Sequence, residues 1–419
     1  MAIDGTDGND DLDGTPGDDI INGLGGNDIL DAGSGGVDTL NGGDGNDILF
    51  YGGGLTAADV NDGGIGTDTL VLQGAYAALA LGASSLTGVE GISLQSGTIT
   101  RWGQTGTNSY DYNLTTIEAN VANGQQLRIN AQSLVAGEDF TFNGAGETDG
   151  GRFLVYAGFG VDILTGGTGN DIFFFEAGRF SNGDKITGGA GSDAVVISGG
   201  QAAEGEAVQV NIAAATFSGI ESLSFNGRFA TDTTAQPSYA AVLQNGNIAA
   251  DGRLIVNGSS LSEAQSLSFD ASLVTDGLLS LFGGAGLDTF KGGAKADLLY
   301  AAGGSDTLTG GGGADVFQYR AVTDSAAGAA DQILDFTSGT DKIDLSLIDA
   351  NVGEAGDQAF VLVSGEAYTG AAGQLYAAYD EDGGRWTVEG HVDGDGVADF
   401  QLFLPGSGGT PLPASDFIL

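Results

Sequence analysis

Thirteen aspartates hold the same position in a nine-residue repeat, G-x-x-G-x-D-x-hydrophobic-x, that recurs along this 419-residue chain. They are Asp10, Asp19, Asp28, Asp38 and Asp47, then Asp68, Asp162, Asp171 and Asp193, then Asp288, Asp297, Asp306 and Asp315. Carboxylates fixed at one place in successive turns fall into rows, and rows of like charge persist only with cations between them. Carboxylate and turn-carbonyl oxygens together suit calcium, a hard cation that takes several oxygen ligands in flexible geometry. Magnesium demands near-octahedral geometry and keeps its waters, so it ranks behind calcium. Zinc is disfavoured, because the chain has no cysteine and one histidine, His391. An isolated Gly-Asn-Asp reads as an ordinary turn, whereas this many copies in phase read as a calcium-binding β-helix repeat.

The other positions of the repeat build the elements that carry the aspartates. The two glycines let the backbone take positive φ and turn tightly. The hydrophobic position puts one inward side chain on a very short strand, because strand side chains alternate faces. Each aspartate therefore falls at the same edge of its turn. A turn with one apolar side chain to bury and several glycines to order gains too little from burial alone. Folding and cation binding are then a single equilibrium.

These repeats resemble the RTX (repeats-in-toxin) family of bacterial secreted proteins. The resemblance implies a right-handed parallel β-roll with two nonapeptides per turn. Each calcium would lie between aspartates of successive turns, helped by carbonyls of the glycine-rich loops. On this chain it pairs Asp10 with Asp28, Asp19 with Asp38, Asp28 with Asp47, Asp288 with Asp306 and Asp297 with Asp315. Three copies depart from the pattern: Ala32 adds a residue before the fourth, Lys295 replaces the second turn glycine of GGAKADLLY, and Ala301–Ala302 replace the leading glycine pair of AAGGSDTLT.

Composition agrees. With 56 acidic residues against 12 basic, a formal charge of −44 and 77 glycines, the metal-free chain repels itself and collapses poorly. The same charge excludes nucleic acid as a partner. The start, MAIDGTDGND, has neither the basic stretch nor the apolar run of a secretory signal peptide, and no segment has the length of a membrane span. Export therefore has to be read from the other end. The stretch from Val316 to Asn351, the run GHVDGDGVADFQLFLPG from Gly390, and the terminal Asp416-Phe417-Ile418-Leu419 resemble the C-terminal secretion domain of serralysin-type proteases. That resemblance implies a β cap on the roll, an uncleaved type I secretion signal, a type I secretion transporter as partner, and a Gram-negative bacterium as source. Protease activity does not follow, since H-E-x-x-H is absent from the sequence.

Asp393, Asp395 and Asp399 form a D-x-D-G-x-x-D string with part of an EF-hand loop's spacing. Position twelve is Leu404 instead of glutamate, so the string reads either as a calcium site or as a solvated acidic turn. Between the nonapeptide blocks lies a longer repetition. LTGVEGISL from Leu86 matches FSGIESLSF from Phe217, and NVANGQQLRINAQSL from Asn120 matches NIAADGRLIVNGSSL from Asn247. Alternating pairs such as Leu127, Ile129 and Phe140, Phe142 mark strands at solenoid spacing. The expected organisation is an N-terminal roll over 1–58, long repeats over 59–183 and 184–315, and a cap with secretion signal over 316–419. The fold class is all-β, one continuous solenoid of calcium-dependent rolls and apolar coils.

Catalytic constellations are hard to find. His391 stands beside the acidic string near no nucleophile motif and reads as a solvent-exposed loop histidine. Glycosidase carboxylate pairs stay open, because distances are invisible in sequence. Arg128, Arg152 and Arg253 are scattered where a lyase would cluster them. The repeats begin at Gly5, which leaves no room in this sequence for a catalytic domain ahead of them. The expectation is a secreted, non-enzymatic calcium-binding protein of surface-layer, matrix or adhesin type, which meets itself or an acidic cell-surface polysaccharide. The alternative is a carbohydrate-binding or carbohydrate-active solenoid with Trp102, Tyr110 and Tyr112 as its aromatic platform; the same aromatics also read as ordinary strand and loop residues.

Overall fold

A computed structural model describes residues 1–199, 206–227, 237–363, 368–406 and 411–419. The chain divides into two compact units, 1–196 with 216–220 and 197–215 with 221–419. Both are built almost wholly from short parallel strands, and no α-helix occurs among the described residues. Hence no described helix is long and apolar enough to cross a membrane.

The first unit opens with the nonapeptides, and successive copies alternate between two sheets. Asp11–Asp13, Ile29–Asp31, Ile48–Tyr51 and Thr69–Leu72 stack in one, while Ala2–Asp4, Ile20–Gly25, Thr39–Asp44 and Val60–Ile65 stack in the other. A copy thus pairs with the next but one, 18 residues on at the start of the ladder. The hydrophobic position makes a column: Leu12 lies beside Leu30, Leu30 beside Leu49 and Leu49 beside Leu70. In the facing sheet Ile21 lies beside Leu40, and Leu40 beside Asn61. Asn61 is a fully buried amide at the end of that apolar column. It accepts from the Tyr51 hydroxyl at 3.0 Å and donates to the Ser85 carbonyl at 3.2 Å, so neither polar end goes without a partner.

Beyond Leu72 the coils widen. Gly91–Leu94, Gln126–Asn130, Arg152–Tyr156 and Ile172–Glu176 carry on the first sheet. A third sheet takes over the opposite wall with Tyr76–Ala80, Tyr112–Thr115, Phe140–Asn143, Asp162–Thr165, Lys185–Thr187 and Phe217–Ser218. Phe140, Phe142, Phe153, Val155, Phe173 and Phe175 fill the space between, with the rings of Phe142 and Phe153 edge to face at 4.9 Å. Two inward residues per strand, many aromatic, replace the single leucine of the roll.

The second unit has the same two-wall plan. Ser222–Asn226, Arg253–Asn257, Leu278–Phe282, Leu298–Tyr300, Val316–Gln318 and Lys342–Asp344 form one sheet; Val208–Ile212, Tyr239–Leu243, Leu267–Asp270, Thr289–Lys291, Thr307–Thr309 and Asp331–Ile333 form the other. Phe400–Pro405, Arg385–Gly390 and Gln374–Asp380 close the second wall as an antiparallel meander. The last strand, Phe417–Ile418, pairs in parallel with Lys342–Asp344. Asp416, fully buried, anchors it by accepting from the Ser338 hydroxyl at 2.5 Å and the Gly339 amide at 2.8 Å. Within the expected 184–315 segment, residues 200–205 and 228–236 lie outside the described residues, as do 364–367 and 407–410 of the expected cap.

Candidate metal centres

The repeat aspartates stand at the start of their strands, and most of their carboxylates join two turns. One oxygen accepts the backbone N–H one turn back. Asp28 Oδ1 accepts from Asp10 at 2.8 Å, Asp47 from Asp28 at 2.8 Å, Asp68 from Asp47 at 2.7 Å and Asp38 from Asp19 at 3.0 Å. Asp193 accepts from Asp171 at 2.7 Å, Asp306 from Asp288 at 2.7 Å and Asp315 from Asp297 at 2.8 Å. Asp171, Asp288 and Asp297 accept in the same way from Phe153, Leu267 and Leu279. Asp162 donates its own N–H to Asp184 at 2.9 Å. Every one of these aspartates except the half-buried Asp10 is at most 2% exposed.

The second residue of the copy decides what happens to the other oxygen. Where that residue has ordinary negative φ, its N–H caps the same carboxylate: Thr6 on Asp10 and Thr15 on Asp19 at 2.6 Å, Gly167 on Asp171 and Gly293 on Asp297 at 2.7 Å, Gly284 on Asp288 at 2.8 Å. Where it has positive φ, as at Leu24, Gly43, Gly64 and Ala302, the N–H turns away. Oδ2 of Asp28, Asp47, Asp68 and Asp306 is then buried with no partner, an arrangement that carries a desolvation cost.

The leading glycine shapes the space beside that oxygen. A Cβ on Gly42 would lie 2.3 Å from Asp47 Oδ2 and 2.5 Å from the Gly63 carbonyl oxygen, and one on Gly23 equally close to Asp28 Oδ2 and the Gly42 carbonyl. A carboxylate oxygen and a carbonyl oxygen from the next turn therefore converge on a cradle that any side chain would fill. Hard oxygen donors in such a cradle fit calcium.

Electrostatics agree. Burial, then the charge of Asp331, pushes the Asp306 carboxyl up to about 9; burial and Asp184 push Asp162 to about 8. Burial chiefly raises Asp315 to about 7 and Asp68, Asp171 and Asp288 to about 6. Asp19 differs: the amino-terminal ammonium, 2.9 Å away, holds it down at about 2. Other cations are engaged off the ladder, with Lys291 on Asp270 and Arg179 on Glu176.

The ladder also includes residues that the glycine-centred pattern overlooks. Asp59 accepts from Asp38 at 2.7 Å, Asp184 from Asp162, Asp331 from Asp306 at 2.8 Å, Asp341 from Asp315 at 3.1 Å, and Glu90 from Asp68 at 2.8 Å. Asp184, Asp331 and Asp341 each open a D-x-Ile strand start without the leading glycines; an aspartate at a strand start was the signal to follow. The irregular copies are accommodated. Lys295 is exposed and Asp297 keeps both bonds, Ala32 is buried, and Ala302 takes φ 64°.

Other expectations fare differently. Asp393 accepts from Asp395 N–H at 3.0 Å, Asp395 from Val397 at 2.7 Å and Asp399 from Val392 at 2.8 Å, so each carboxylate caps a local turn. His391 is no solvent-exposed loop residue: it is 1% exposed, with Nε2 2.8 Å from the Tyr368 hydroxyl and Nδ1 3.0 Å from the Val397 carbonyl. It directly follows Arg385–Gly390, the middle strand of the meander, and packs against Tyr368, a burial that sequence spacing does not reveal. Nor do the three aromatics make one platform. Tyr112 is buried and donates to the Gln95 carbonyl at 2.6 Å, Tyr110 donates to Gln104, and Trp102 stacks on Phe50 at 4.3 Å.

Comparison with known proteins gives the same picture. The RTX calcium-binding nonapeptide repeat matches at 4–36, 33–54 and 154–179. Metallopeptidase AprA of Pseudomonas marginalis is 41% identical over 90 residues, 22% of this chain and 17% of that protein. Metalloprotease AprA of Pseudomonas entomophila (strain L48) is 42% identical over 134 residues, 30% of this chain and 27% of that protein. The chain thus spans about a quarter or less of the curated relatives it matches. Its repeats bind calcium at multiple sites, and it is an extracellular protein exported by type I secretion. Peptidase M10 serralysin C terminal matches residues 184–419, more than half of the sequence, and the chain belongs to that family.

Proposed function

We propose that this is a structural protein of surface-layer, matrix or adhesin type, folded by extracellular calcium and without catalytic turnover. The observation that carries the reading is the ladder of buried carboxylates, in which Oδ2 of Asp28, Asp47, Asp68 and Asp306 has no partner. Asp10, Asp19, Asp28, Asp38, Asp47, Asp68, Asp162, Asp171, Asp193, Asp288, Asp297, Asp306 and Asp315 would hold the ions, joined by Asp59, Asp184, Asp331, Asp341 and Glu90. The turn-capping bonds of Asp393, Asp395 and Asp399 put that string last in order of affinity. Bound calcium supplies the positive charge between turns. The protein residues aim the oxygens, exclude water and hold the strands in register. His391 supports the non-catalytic reading, since both ring nitrogens are engaged inside a packed cap. The relatives are named as metalloproteases, but the matched region is the serralysin C terminus, the non-catalytic part. The segments 1–58, 59–183, 184–315 and 316–419 remain our proposed functional divisions.

With a charge of −44, molecules repel until calcium neutralises their faces and lets them meet each other or an acidic polysaccharide. Electron microscopy and light scattering across a calcium titration, run beside casein and glycan degradation assays, test this. Calcium-dependent assemblies or glycan attachment without turnover is the expected result, and a strictly monomeric protein that degrades its substrate overturns it. The docked tail bears on export: Phe417 is 6% exposed and Asp416 fully buried in the folded state, so a transporter can read them only before calcium folds the chain. Deleting 416–419 should hold the protein in the cell, and undiminished export of the truncated chain would leave the tail as a cap alone.

One observation favours carbohydrate binding as a second reading. Trp102, covered by Arg101 at 4.6 Å, lines a cleft with Phe50, Asp31, Thr15 and Gln104. Loss of glycan binding in Trp102→Ala would support it.

A further inference from the structure

We propose that Glu118, Glu147 and Asp149 form a calcium site of a different kind, outside the nonapeptide ladder. Among the described residues they are the one group of three acidic side chains whose ligand atoms all lie within 4.8 Å of one another. Glu118 and Asp149 are exposed, while Glu147 is fully buried. Its Oε1 accepts the Asp149 and Gly151 amides, each at 3.2 Å, and its Oε2 is buried with no partner. Glu118 is steered into place from the same loop: its Oε2 accepts the Thr148 amide at 2.9 Å and also the Thr148 hydroxyl. Three carboxylates at this separation repel strongly, and burying one of them has a large cost unless a cation joins the set.

The second long repeat provides an internal control, because it builds the same turn without the two glutamates. Asn245 stands where Glu118 does. Its Oδ1 accepts the Thr275 amide at 3.2 Å and its Nδ2 donates to the Thr275 hydroxyl at 2.9 Å, as Glu118 holds Thr148. Val274 stands where Glu147 does. Ala294 donates to the Val274 carbonyl at 2.9 Å, as Thr168 donates to the Glu147 carbonyl at 3.1 Å. A Cβ on Gly293 would lie 2.8 Å from the Val274 oxygen, and one on Gly167 at 2.8 Å from the Glu147 oxygen. Asp276 stands in the place of Asp149. Valine is 2% exposed there, so the turn itself is satisfied by an apolar side chain. The buried glutamate of the first repeat is therefore not required by the fold, and a ligand explains it. All the donors are oxygens, and two of the three residues are open to water. That suits calcium, which accepts irregular oxygen sets and tolerates waters among them.

The test is to count calcium ions on the intact protein by native mass spectrometry, with folding followed by circular dichroism. Glu147→Val copies the side chain that the second repeat carries and should fold while binding one calcium fewer than the parent. Glu118→Asn keeps a partner for Thr148 and should weaken the same ion at least tenfold, which gives an independent reading even if Glu147→Val does not fold. Conversely, Asn245→Glu with Val274→Glu should gain one ion. An unchanged count in a folded Glu147→Val, or an unchanged affinity in Glu118→Asn, overturns the proposal while leaving the ladder reading intact. A parent protein that binds no calcium at all overturns both. Magnesium at equal concentration should not fill the site; if it does, the assignment to calcium fails.

Discussion

Within the first unit, the N-terminal roll and the coils that follow it share a wall of parallel strands but are held by different forces. In the roll most strands contribute one inward leucine or isoleucine to the column, such as Leu30, Leu40 and Leu49, and the turn beside it carries a buried carboxylate. In the coils from Tyr76 to Thr187 the interior is doubled and aromatic, with Phe140, Phe142, Phe153 and Phe173, while the buried acids thin out to Glu138, Glu147, Asp162, Asp171 and Asp184. Burial scales with apolar area, so the coils hold a larger share of their stability without metal. The comparison teaches that one solenoid can divide its dependence on calcium unevenly along its length.

Chelation is the sharpest way to break that comparison. Removing calcium should cost the roll nearly all of its strand structure and the coils much less. Hydrogen exchange with a chelator should show full exchange over 5–72 and residual protection at the amides of 126–130 and 152–156. Uniform loss across both regions, or none in either, would mean that the two are not held differently.

Acid should partly substitute for calcium. Buried carboxylates whose folded values are raised, to about 6 for Asp68 and Asp171 and about 8 for Asp162, bind more protons folded than unfolded. Their contribution to the metal-free fold is fully present below the unfolded carboxylate value of about 4 and is lost as pH rises through about 6 to 8. Asp19, held down at about 2, acts in the opposite sense and loses its contribution only in strong acid. Chelated protein should therefore show more strand signal at pH 4.5 than at pH 8, the opposite of the calcium-loaded protein, whose ligands acid competes away. Equal circular dichroism of the chelated protein at both pH values would contradict this.

Core truncation sharpens the same contrast. Phe142→Ala removes a ring that meets both Phe140 and Phe153 and should cost about 3–5 kcal/mol; Leu49→Ala in the roll should cost about 2–5 kcal/mol. The difference lies in linkage to the metal. Raising calcium should recover the midpoint of Leu49→Ala in a denaturant titration more than that of Phe142→Ala, because mass action acts on the part that folds with the ion.

Much of this was legible in the sequence, and the reasons are physical. The nine-residue spacing sets both the alternation of copies between two sheets and the aspartate-to-aspartate register, because each copy holds one strand and one turn. Leu127, Ile129, Phe140 and Phe142 were readable as inward residues from their alternation alone. Asp59, Asp184, Asp331 and Asp341 were not, since their turns reach the same geometry without the complete pair of glycines that marks a copy. His391 was misread because its burial depends on how the meander folds Tyr368 and the Val397 turn onto its ring, a packing that local sequence does not show. Glu147 was invisible for a related reason: the loop that gathers it with Glu118 spans a whole coil, and only the comparison with Val274 shows what it replaces.

The smallest effects come from glycine positions and separate the cradle from the turn. Gly42→Ala brings a Cβ within 2.3 Å of Asp47 Oδ2 and 2.5 Å of the Gly63 carbonyl, so it should weaken calcium binding severalfold and lower stability by about 1–3 kcal/mol. Gly17→Ala, at the second turn glycine of its copy, meets nothing within 4 Å and has no positive φ. By restricting the unfolded chain it should be neutral or stabilise by about 0.4–1 kcal/mol. Ala302→Gly probes the reverse case. Ala302 holds φ 64°, a conformation costing an L-residue about 1–2 kcal/mol, while glycine gives back part of that gain through its greater entropy loss on folding. The net expectation is a rise of up to about 1 kcal/mol with calcium affinity at Asp306 unchanged, since the N–H still turns away from Oδ2. If Gly42→Ala and Gly17→Ala behave alike in calcium-dependent denaturation, the leading glycine serves only to turn the chain, and the carboxylate–carbonyl cradle is not where the ion sits.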